Sequence, residues 1–599
     1  MSGHGDQRRP DSELEREEDL RERRALIQIA RGQQPADLVL RNGRVVNVFS
    51  NEIYSADIAI YAGRIAGLGP AGSYGGVVEL DFGGAYVAPG LIEAHTHIES
   101  ALLTPGEFAR AIAAHGTTTC VSDPHEIANV AGVPGIEWML AAARDVPVRM
   151  LFTLPSCVPA SEFESNGARL LPRDLEPLAA DPRIASVGEV MNYPGVLAGD
   201  ETLLGMIGLG RPGRGKPGGM PVDGHAPGLR GLDLCGYVAA GAQSDHECVL
   251  ADEALDKVRL GMWLFAREGS MRNLDALLPV VHEHMPERAC FVADDRTCGD
   301  LLRQGHLDHI VRLAVVAGLD PVQAVKMVTL HPAHYFGFAD RGAVAPGYMA
   351  DLVVVDDMHT FQPRQVYIGG ELVARDGRAL FTPTALPAEL TARVTNTIRI
   401  GGFGAERLRL AGYSGTARVI GMIPDQIVTD DVVMEVDARD GELQTDAERD
   451  LLKVAVVERY GRGRVGVGLL HGLGLKAGAM ASSVAHDAHN IVVAGTSDED
   501  MALAVNEIAR LQGGLVLTRD GAVVARLALP LGGLVSPLPA EEVASAMDAL
   551  ERTAAEMGVG LARPFMFLAF LALSVVPKLK ITDAGLLDVA AWRIVPVQA

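Results

Sequence analysis

Two histidines one residue apart, His95 and His97, stand in the segment PGLIEAHTHIES at residues 89–100, directly after a short apolar run. Successive side chains of a β-strand point to opposite faces, so positions two apart share a face and both imidazoles can reach one ion. A pair of this kind also occurs by chance at the polar end of a strand. The pair alone therefore leaves two alternatives open, a metal site and an ordinary strand end.

Further residues that can bind divalent metals follow the ends of later strand-like segments. They are Glu189 in IASVGE, His225 in VDGHAPG, His246 in SDHE and Asp294 in VADDRT. Imidazole nitrogens suit zinc, iron or nickel, and added carboxylates favour manganese or iron. Singly, each residue has an ordinary explanation, such as a hydrogen-bonded surface histidine or an aspartate at a helix N-cap. Their common position at strand ends predicts a site for one or two divalent ions.

The segment that must position these residues, about 88–341, alternates short apolar strands with helical stretches. Strand ends are expected at His97, Asp123, Pro155, Glu189, His225, Ser244 and Asp294, with one more strand near Gly269. About 250 residues of repeated βα units is the size of a (β/α)8 barrel, whose functional residues lie at the carboxyl ends of its strands. The alternative is a doubly wound open sheet, but no glycine-rich fingerprint follows the first strand. We therefore predict an α/β fold with a barrel over residues 88–341.

Hairpin-rich segments flank this barrel on both sides. Asn42-Gly43 and Ala62-Gly63 are typical of hairpin turns, and a similar pattern returns at residues 342–377. We predict one small composite β-domain from residues 36–87 and 342–395, into which the barrel is inserted. Residues 396–599 are long enough for a separate α+β domain, and residues 1–35 are predicted to form a charged N-terminal arm.

Composition argues against several classes of partner. The chain of 599 residues carries 53 Lys and Arg against 76 Asp and Glu, a formal net charge of −23. This acidity argues against a nucleic-acid partner, because phosphate binding needs a basic face. The six cysteines form no C-x-x-C pair and are expected to be reduced thiols. The N-terminal segment has no apolar signal region, and the most apolar stretch, residues 565–576, is shorter than the ~20 residues that span a bilayer. We expect a cytoplasmic protein with no membrane partner.

Several longer motifs carry a family resemblance. VAPGLIEAHTHIES, a segment of barrel length and the closing PGYMADLVVVD resemble the amidohydrolase superfamily of metal-dependent hydrolases. HIESALLTP, SDPHEIANV, GEVMNYPGV, DGHAPG, SDHE and DDR, with SSVAHDAHNIVVAGTSDEDM and PLGGLVS in the last domain, are similar to motifs of its adenine deaminase family. The resemblance covers nearly the whole chain from about residue 36. The H-x-H pair is shared by many hydrolases, whereas GEVMNYPG and VAHDAHNI are much more specific.

The resemblance implies a two-metal centre. It makes His95 and His97 ligands of one ion and Glu189 a bridging carboxylate. It makes His225 and His246 ligands of the second ion, and Asp294 a ligand near the attacking water. Many relatives bridge their ions with a carboxylated lysine at the end of the fourth strand. Glu189 takes that place here, which separates the chain from the dihydroorotase and hydantoinase type. The implied metal is Mn2+, with Fe2+ or Zn2+ as alternatives, at two ions per active site.

The implied reaction is hydrolytic deamination of adenine to hypoxanthine and ammonia by a metal-activated hydroxide, a step of purine salvage. Coordination lowers the pKa of a bound water from about 15.7 towards ~7. Asp294 can take the water's proton and pass it to the departing amine. Glu126, Glu247 and Glu99 are each candidates for polarising the purine ring, and the sequence does not choose between them. It also leaves open whether Asp294 or Asp295 is the ligand.

Two polar segments supply further candidates. SDPHEIAN contains Asp123 and His125, which are predicted to bind an auxiliary metal or the substrate edge. The alternative is a strand-to-helix turn with Asp123 as its cap. VAHDAHN contains His486 and His489, and the resemblance suggests that this part of the last domain closes the barrel mouth. A buried hydrogen-bonded turn is the alternative.

The remaining candidates for substrate contact are Glu99, Asp295 and Arg296, and Arg296 is alternatively a salt-bridge partner of Asp295. Two other functions stay open. One is an amidohydrolase acting on another aminated heterocycle or a cyclic amide, and the other is a non-catalytic purine-binding protein. The expected partner is the small molecule adenine, and a homo-oligomer, dimer or larger, is expected for a large acidic enzyme.

Overall fold

The computed structural model of the protein describes residues 13–213, 216–269, 271–424 and 426–599. The start of the predicted N-terminal arm, residues 1–12, lies outside the described residues, and helix Glu13–Ala30 follows it. The chain clusters into two compact units. One comprises residues up to 92, 113–119 and 307–381, and the other comprises residues 93–112, 120–306 and 382–599. The domain boundaries predicted from the sequence stay predictions.

In the first unit, strands distant in sequence form one nine-stranded sheet. Tyr86–Pro89 pairs antiparallel with Leu352–Val355, so that Val87 lies opposite Val354. Both valines belong to the buried apolar cluster of this sheet. The strands are Ala36–Asn47, Glu52–Tyr61, Arg64–Gly69, Gly76–Asp81, Tyr86–Pro89, Leu352–Val355, Pro363–Ile368, Glu371–Arg375 and Arg378–Ala379. The helices of its last segment are Leu307–Val316, Pro321–Lys326 and Leu330–Phe336.

The two predicted hairpin turns differ in the structure. Ala62-Gly63 joins neighbouring antiparallel strands, as predicted. Asn42-Gly43 instead lies inside strand Ala36–Asn47, where the register shifts after Leu40. The hairpin predicted there was wrong, because a left-handed asparagine such as Asn42, with φ of 56°, also suits a β-bulge.

Eight short strands, named barrel strands one to eight, carry the α/β part of the fold. They are, in order, Leu91–Thr96, Thr117–Ser122, Arg149–Leu154, Ile184–Val190, Val222–Gly224, Ser244–Asp245, Trp263–Arg267 and Ala289–Val292. Strands one to five form one sheet and strands six to eight another. The Gln243 amide donates to the Val222 carbonyl oxygen over 2.9 Å and the Asp294 amide to that of His95 over 3.0 Å, which joins the two sheets at both edges. This confirms the predicted barrel, and the extra strand expected near Gly269 is Trp263–Arg267.

Helices alternate with the barrel strands, and this alternation explains the burial of the strands. Strands one, two and four are buried at every position, as parallel strands covered on both faces require. The α-helices of this region are Pro105–Ala113, His125–Ala131, Val133–Ala142, Pro172–Leu175, Tyr193–Leu197, Glu201–Gly208, Gly231–Ala240, Ala251–Arg259, Leu274–His284 and Cys298–Arg303. Short 3-10 helices occur at Ile98–Ala101 and Leu178–Ala180.

The C-terminal part of the second unit is rich in strands, as expected for an α+β domain. Its eight-stranded sheet contains, in spatial order, Thr429–Val436, Gly415–Met422, Val465–His471, Leu452–Val457, Ile491–Gly495, Ala479–Ser482, Gly514–Arg519 and Ala522–Ala528. Smaller sheets contain Ala438–Arg439 with Glu442–Leu443, and Leu579–Thr582 with Gly585–Asp588 and Arg593–Val595. The helices are Ala388–Arg393, Ala405–Leu408 (3-10), Asp498–Leu511, Ala540–Glu556 and Pro564–Phe570. Among the described residues, no helix has both the length and the apolar character needed to cross a bilayer.

Candidate metal centre and active site

The six candidate ligands lie together at the carboxyl ends of the barrel strands. His95 is in strand one and Glu189 in strand four, and the others follow a strand by one or two residues: His97 after strand one, His225 after strand five, His246 after strand six and Asp294 after strand eight. His225 is partly buried and the rest are buried. Short strands that converge at one end thus bring together residues spread over 200 positions of the sequence.

Glu189 stands between two pairs of histidines. Its Oε1 lies 3.0 Å from His97 Nε2 and 3.6 Å from His95 Nε2. Its Oε2 lies 2.8 Å from His225 Nδ1 and 3.5 Å from His246 Nε2. A carboxylate whose two oxygens face two separate nitrogen pairs is suited to bridging two cations.

The hydrogen bonding of His97 shows which of its ring nitrogens can bind a cation. Its Nδ1 is 3.1 Å from the Asp123 carbonyl oxygen, which can only accept, so Nδ1 carries the proton. A neutral His97 therefore turns the lone pair of Nε2 towards Glu189 and Asp294. His95 Nε2 is buried without a hydrogen-bond partner and faces the same two carboxylates at 3.6 Å each. A divalent cation between these acceptors satisfies all of them, so the residues fit a metal centre.

Asp294 has an unusual backbone conformation. It adopts φ of 54°, a left-handed conformation that aspartate tolerates better than most residues. Its Oδ1 lies 3.4 Å from His97 Nε2, and its Oδ2 accepts a hydrogen bond from Arg267 Nη1. Asp295 instead accepts a hydrogen bond from the Ser100 hydroxyl. Helix Cys298–Arg303 is capped by the Thr297 side chain, so neither aspartate is occupied as its cap.

Electrostatics favours the ionised form of both central carboxylates. Burial alone would raise the pKa of Glu189, but His246 and its neighbouring histidines, in their charged form, hold that pKa well below its usual range. Burial also opposes ionisation of Asp294, but the Arg267 guanidinium holds its pKa well below the usual value. Two carboxylates of this kind suit a site for divalent cations.

Arg267 is a site residue that sequence reasoning missed. It ends barrel strand seven, and its guanidinium contacts both Asp294 and Glu247. The Glu247 Oε1 lies 2.8 Å from Arg267 Nη1 and 3.3 Å from His246 Nε2. Burial alone would raise the pKa of Glu247, but Arg267 lowers it to about 2. The only sequence signal was an arginine at the end of an otherwise apolar strand, where a carboxylate partner is needed.

The SDPHEIAN segment lies beside the centre. The Asp123 Oδ2 accepts the Glu189 amide N–H over 3.0 Å, which fixes the backbone that carries the central carboxylate. The N-cap of helix His125–Ala131 is Pro124, with no side-chain cap, so Asp123 does not cap it. His125 Nδ1 is buried without a hydrogen-bond partner, 3.6 Å from Asp123 Oδ1 and 3.7 Å from Glu189 Oε1.

The other candidates for substrate contact are placed differently. Glu99 is buried, and its Oε1 accepts the Ile127 amide N–H over 3.2 Å. Arg296 donates to the Glu268 carbonyl oxygen over 2.7 Å and to Gln304 Oε1 over 3.1 Å, so its guanidinium stabilises the loop after strand seven. Of these residues and Asp295, only Asp295 lines the cavity over the centre.

That cavity is lined from two sides. The barrel supplies His97, His125, Glu126, Glu189, Met191, His225, His246, Glu247, Arg267, Met271, Asp294 and Asp295. The C-terminal part supplies Ile427, His486, Asp487, Phe570, Leu573, Val575 and Val576. The barrel side of the cavity is mostly polar, and the C-terminal side is largely apolar. This arrangement suits a small planar heterocycle that presents nitrogen atoms to the barrel side.

A second cluster joins the two sides of the cavity. Each carboxylate oxygen of Glu126 contacts one histidine of the VAHDAHN segment, Oε1 with His486 Nδ1 and Oε2 with His489 Nε2. His486 also stacks on Phe570, with ring centroids 5.4 Å apart. The segment predicted to close the barrel mouth thus reaches the cavity through His486 and Asp487.

A buried lysine binds two residues on the apolar, C-terminal side of the cavity. Lys580 is fully buried, and its Nζ donates to the carbonyl oxygens of Ile427, over 2.6 Å, and of Phe570, over 3.0 Å. Both of these residues line the cavity. Burial lowers the pKa of Lys580 to about 7.

This depressed pKa predicts a pH-dependent stability. An unfolded lysine has a pKa of about 10.4, so between pH 7 and 10 the unfolded chain binds more protons at this site than the folded chain. Stability therefore rises with pH over this range, by about 2 kcal/mol between pH 7 and 9. We expect the Tm of the wild type, measured against that of Lys580→Met, to rise from pH 7 to pH 9. A difference in Tm that stays constant between these pH values would contradict the assignment.

Sequence comparisons agree with this geometry. Residues 86–373 match the model of the amidohydrolase family, and residues 426–593 match the model of the adenine deaminase C-terminal domain. Adenine deaminase 2 of Carboxydothermus hydrogenoformans is 47% identical over 96% of this chain and 99% of its own length. Adenine deaminases of Dehalococcoides mccartyi and Nitratidesulfovibrio vulgaris are 44% and 46% identical, over 95% and 96% of this chain and 98% of each relative.

Proposed function

The chain belongs to the adenine deaminase family of amidohydrolases, and from this premise we propose that it hydrolyses adenine to hypoxanthine and ammonia. The observation that carries the proposal is the Glu189 carboxylate, which stands between two histidine pairs at the barrel end. The full-length identity to proteins named adenine deaminase favours adenine over another heterocycle. The intact ligand set argues against a non-catalytic purine-binding protein.

Six residues would hold the two ions: His95, His97, Glu189, His225, His246 and Asp294. A bound divalent ion lowers the pKa of a water and so supplies hydroxide near neutral pH. Of the water's two protons, one ends on ring nitrogen N1 and the other on the departing amine. We assign the second transfer to Asp294, whose Oδ1 faces the centre while Arg267 fixes its Oδ2.

We assign the transfer to N1 to Glu247. Its carboxylate lines the cavity beside His225 and His246, and Arg267 holds both of its oxygens. A carboxylate beside the metal ligands meets the edge of the purine that reacts, because C6 and N1 are adjacent ring atoms. Glu99 does not line the cavity, and both oxygens of Glu126 contact histidines of the VAHDAHN segment, so neither is as well placed for this step.

Metal removal tests the proposal. Chelator-treated protein is expected to release no ammonia, and reloading with Mn2+ to about two ions per chain is expected to restore release from adenine. Guanine, cytosine and hydantoin serve as comparison substrates under the same conditions. Ammonia from one of these but not from adenine would reject the assignment. Well under one ion per chain after Mn2+ supplementation would reject the catalytic site itself.

Metal identity, assembly and location are parts of the same proposal. We expect Mn2+ in the centre, with Fe2+ or Zn2+ as alternatives, because four imidazoles and two carboxylates suit all three. A homo-oligomer is supported by strand Gly76–Asp81, which exposes Val77, Val78 and Leu80 at a sheet edge. A cytoplasmic location is supported by six free cysteines, five of them buried.

A further inference from the structure

The cluster of Glu126, His486 and His489 has a composition that can bind a metal, and its ligand atoms lie within 4.8 Å of one another. Glu126 is in the first turn of helix His125–Ala131, is buried and lines the catalytic cavity. Both histidines come from the loop between strands Ala479–Ser482 and Ile491–Gly495. The cluster lies outside the six residues assigned to the two ions, so its role needs a separate explanation.

The hydrogen bonds of His489 distinguish a metal ligand from a donor. The backbone N–H of Ala485 donates to His489 Nδ1 over 3.2 Å, so Nδ1 carries a lone pair. A neutral imidazole has one N–H, which must then be on Nε2, the atom that contacts Glu126 Oε2. A protonated nitrogen has no lone pair to offer an ion. His489 therefore donates a hydrogen bond to Glu126, in contrast to His97, whose Nε2 turns a lone pair towards carboxylates.

The charges of the cluster agree with this description. Burial lowers the pKa of His489 to about 4, which keeps the ring neutral. Burial would also lower the pKa of His486, but Glu126 raises it to about 9. Burial opposes ionisation of Glu126, yet His486 and His489 hold its pKa well below the usual range. Glu126 is thus a fixed anion whose oxygens retain free lone pairs, because a carboxylate can accept about four hydrogen bonds.

We propose that His486 and His489 position Glu126 as the acceptor for the ring N–H of a free purine base, so that the site selects free bases over 9-substituted purines. The inference rests on the proposed function. Neutral adenine has N–H donors only at its amine and at one nitrogen of its five-membered ring. The amine belongs with Asp294 and Glu247 at the ligand cluster. Among the other carboxylates of the cavity wall, we place the ring N–H at Glu126, because two histidines fix the position of its oxygens.

A 9-substituted purine has no such donor. Its binding would leave a buried anion without its partner, and sites built around a substrate N–H or O–H reject analogues that lack it by large factors. The residues from the C-terminal part of the unit thereby contribute to substrate choice without touching the reacting atoms. His486 and His489 are positioning residues, and Glu126 is a specificity-determining residue.

Purine and 9-methylpurine test the inference, because neither carries an amine to lose and their binding does not require deamination. Equilibrium dialysis of Mn2+-loaded protein would give both Kd values. The wild type is expected to bind purine about 100-fold more tightly than 9-methylpurine. In His489→Asn the amide oxygen can still accept the Ala485 N–H but no donor reaches Glu126, so we expect this ratio to fall below about 10-fold. His489→Gln keeps a donor near the Nε2 position and is expected to preserve most of the ratio.

Control variants distinguish the positioning of Glu126 from a general effect of replacing a histidine and from metal binding. His471→Asn changes a histidine outside the cavity and is expected to leave the ratio unchanged. Glu126→Gln, the alternative variant if His489→Asn does not fold, is expected to lose discrimination as well. Equal Kd values for the two ligands in the wild type, or an unchanged ratio in the folded variant, would overturn the inference. So would a third ion per chain that His489→Asn removes. Absence of ammonia release from adenine, with the Kd ratio intact, would instead reject only the proposed reaction.

Discussion

Replacing Glu189 by glutamine is expected to lower kcat/KM for adenine by at least ~1,000-fold, a loss of about 4 kcal/mol of transition-state stabilisation. Each oxygen of the carboxylate faces two of the candidate ligand histidines, so Glu189 is the group shared by both halves of the proposed centre. An amide keeps the shape but removes the charge and offers only one acceptor oxygen. Ammonia release and the number of ions per chain are the two measurements, and both are expected to fall together.

A matched control is available for this substitution. Glu164 is a carboxylate outside the cavity whose pKa burial raises well above its usual value, and it accepts a hydrogen bond from Ser574 over 2.8 Å. Glutamine resembles the protonated acid, so Glu164→Gln is expected to keep activity within a few-fold of the wild type. Full metal content and near-normal activity in Glu189→Gln would contradict the proposal that Glu189 bridges two ions.

Replacing Asp294 by asparagine is expected to lower kcat by ~100- to 10,000-fold, the range in which a general acid–base group contributes. Asp294 faces His95 and His97 with one oxygen and accepts from Arg267 with the other. Asparagine can keep the contact to Arg267 but cannot carry a proton between water and amine. We expect the loss in kcat to exceed the loss in metal content, since five other ligands remain.

Asp295 is the natural comparison for Asp294. Its carboxylate accepts from the Ser100 hydroxyl and lies at the cavity edge. Asp295→Asn keeps an acceptor for that hydroxyl and is therefore expected to cost much less activity than Asp294→Asn. A larger loss in Asp295→Asn than in Asp294→Asn would exchange the roles of the two residues.

The sequence places the candidate ligands well because each follows an apolar strand directly. Strand alternation puts His95 and His97 on one face, and the βα spacing puts Glu189, His225 and His246 at the same end of a barrel. Reasoning from metal-binding residues at strand ends does not identify Arg267, because its strand carries no such residue. Its function depends on Asp294 and Glu247, which approach it only in the folded barrel.

The VAHDAHN segment shows a different limit of sequence reasoning. Its polarity indicates a buried hydrogen-bonded turn or a contribution to the site, and the structure contains both features. His486 and Glu126 are 360 residues apart, so no local pattern predicts their contact. Whether His489 donates a hydrogen bond or binds a metal depends on one backbone N–H, that of Ala485. Such a choice follows from the folded geometry and not from residue types.

Anomalous diffraction at the manganese edge, on crystals of the Mn2+-loaded protein, is the most direct test of the two-metal centre. We expect two peaks on either side of Glu189, one bound by His95 and His97 and the other by His225 and His246. No third peak is expected at Glu126. A centre with ions that Glu189 does not contact, or with no ion at the ends of barrel strands one, five and six, would contradict the proposed site.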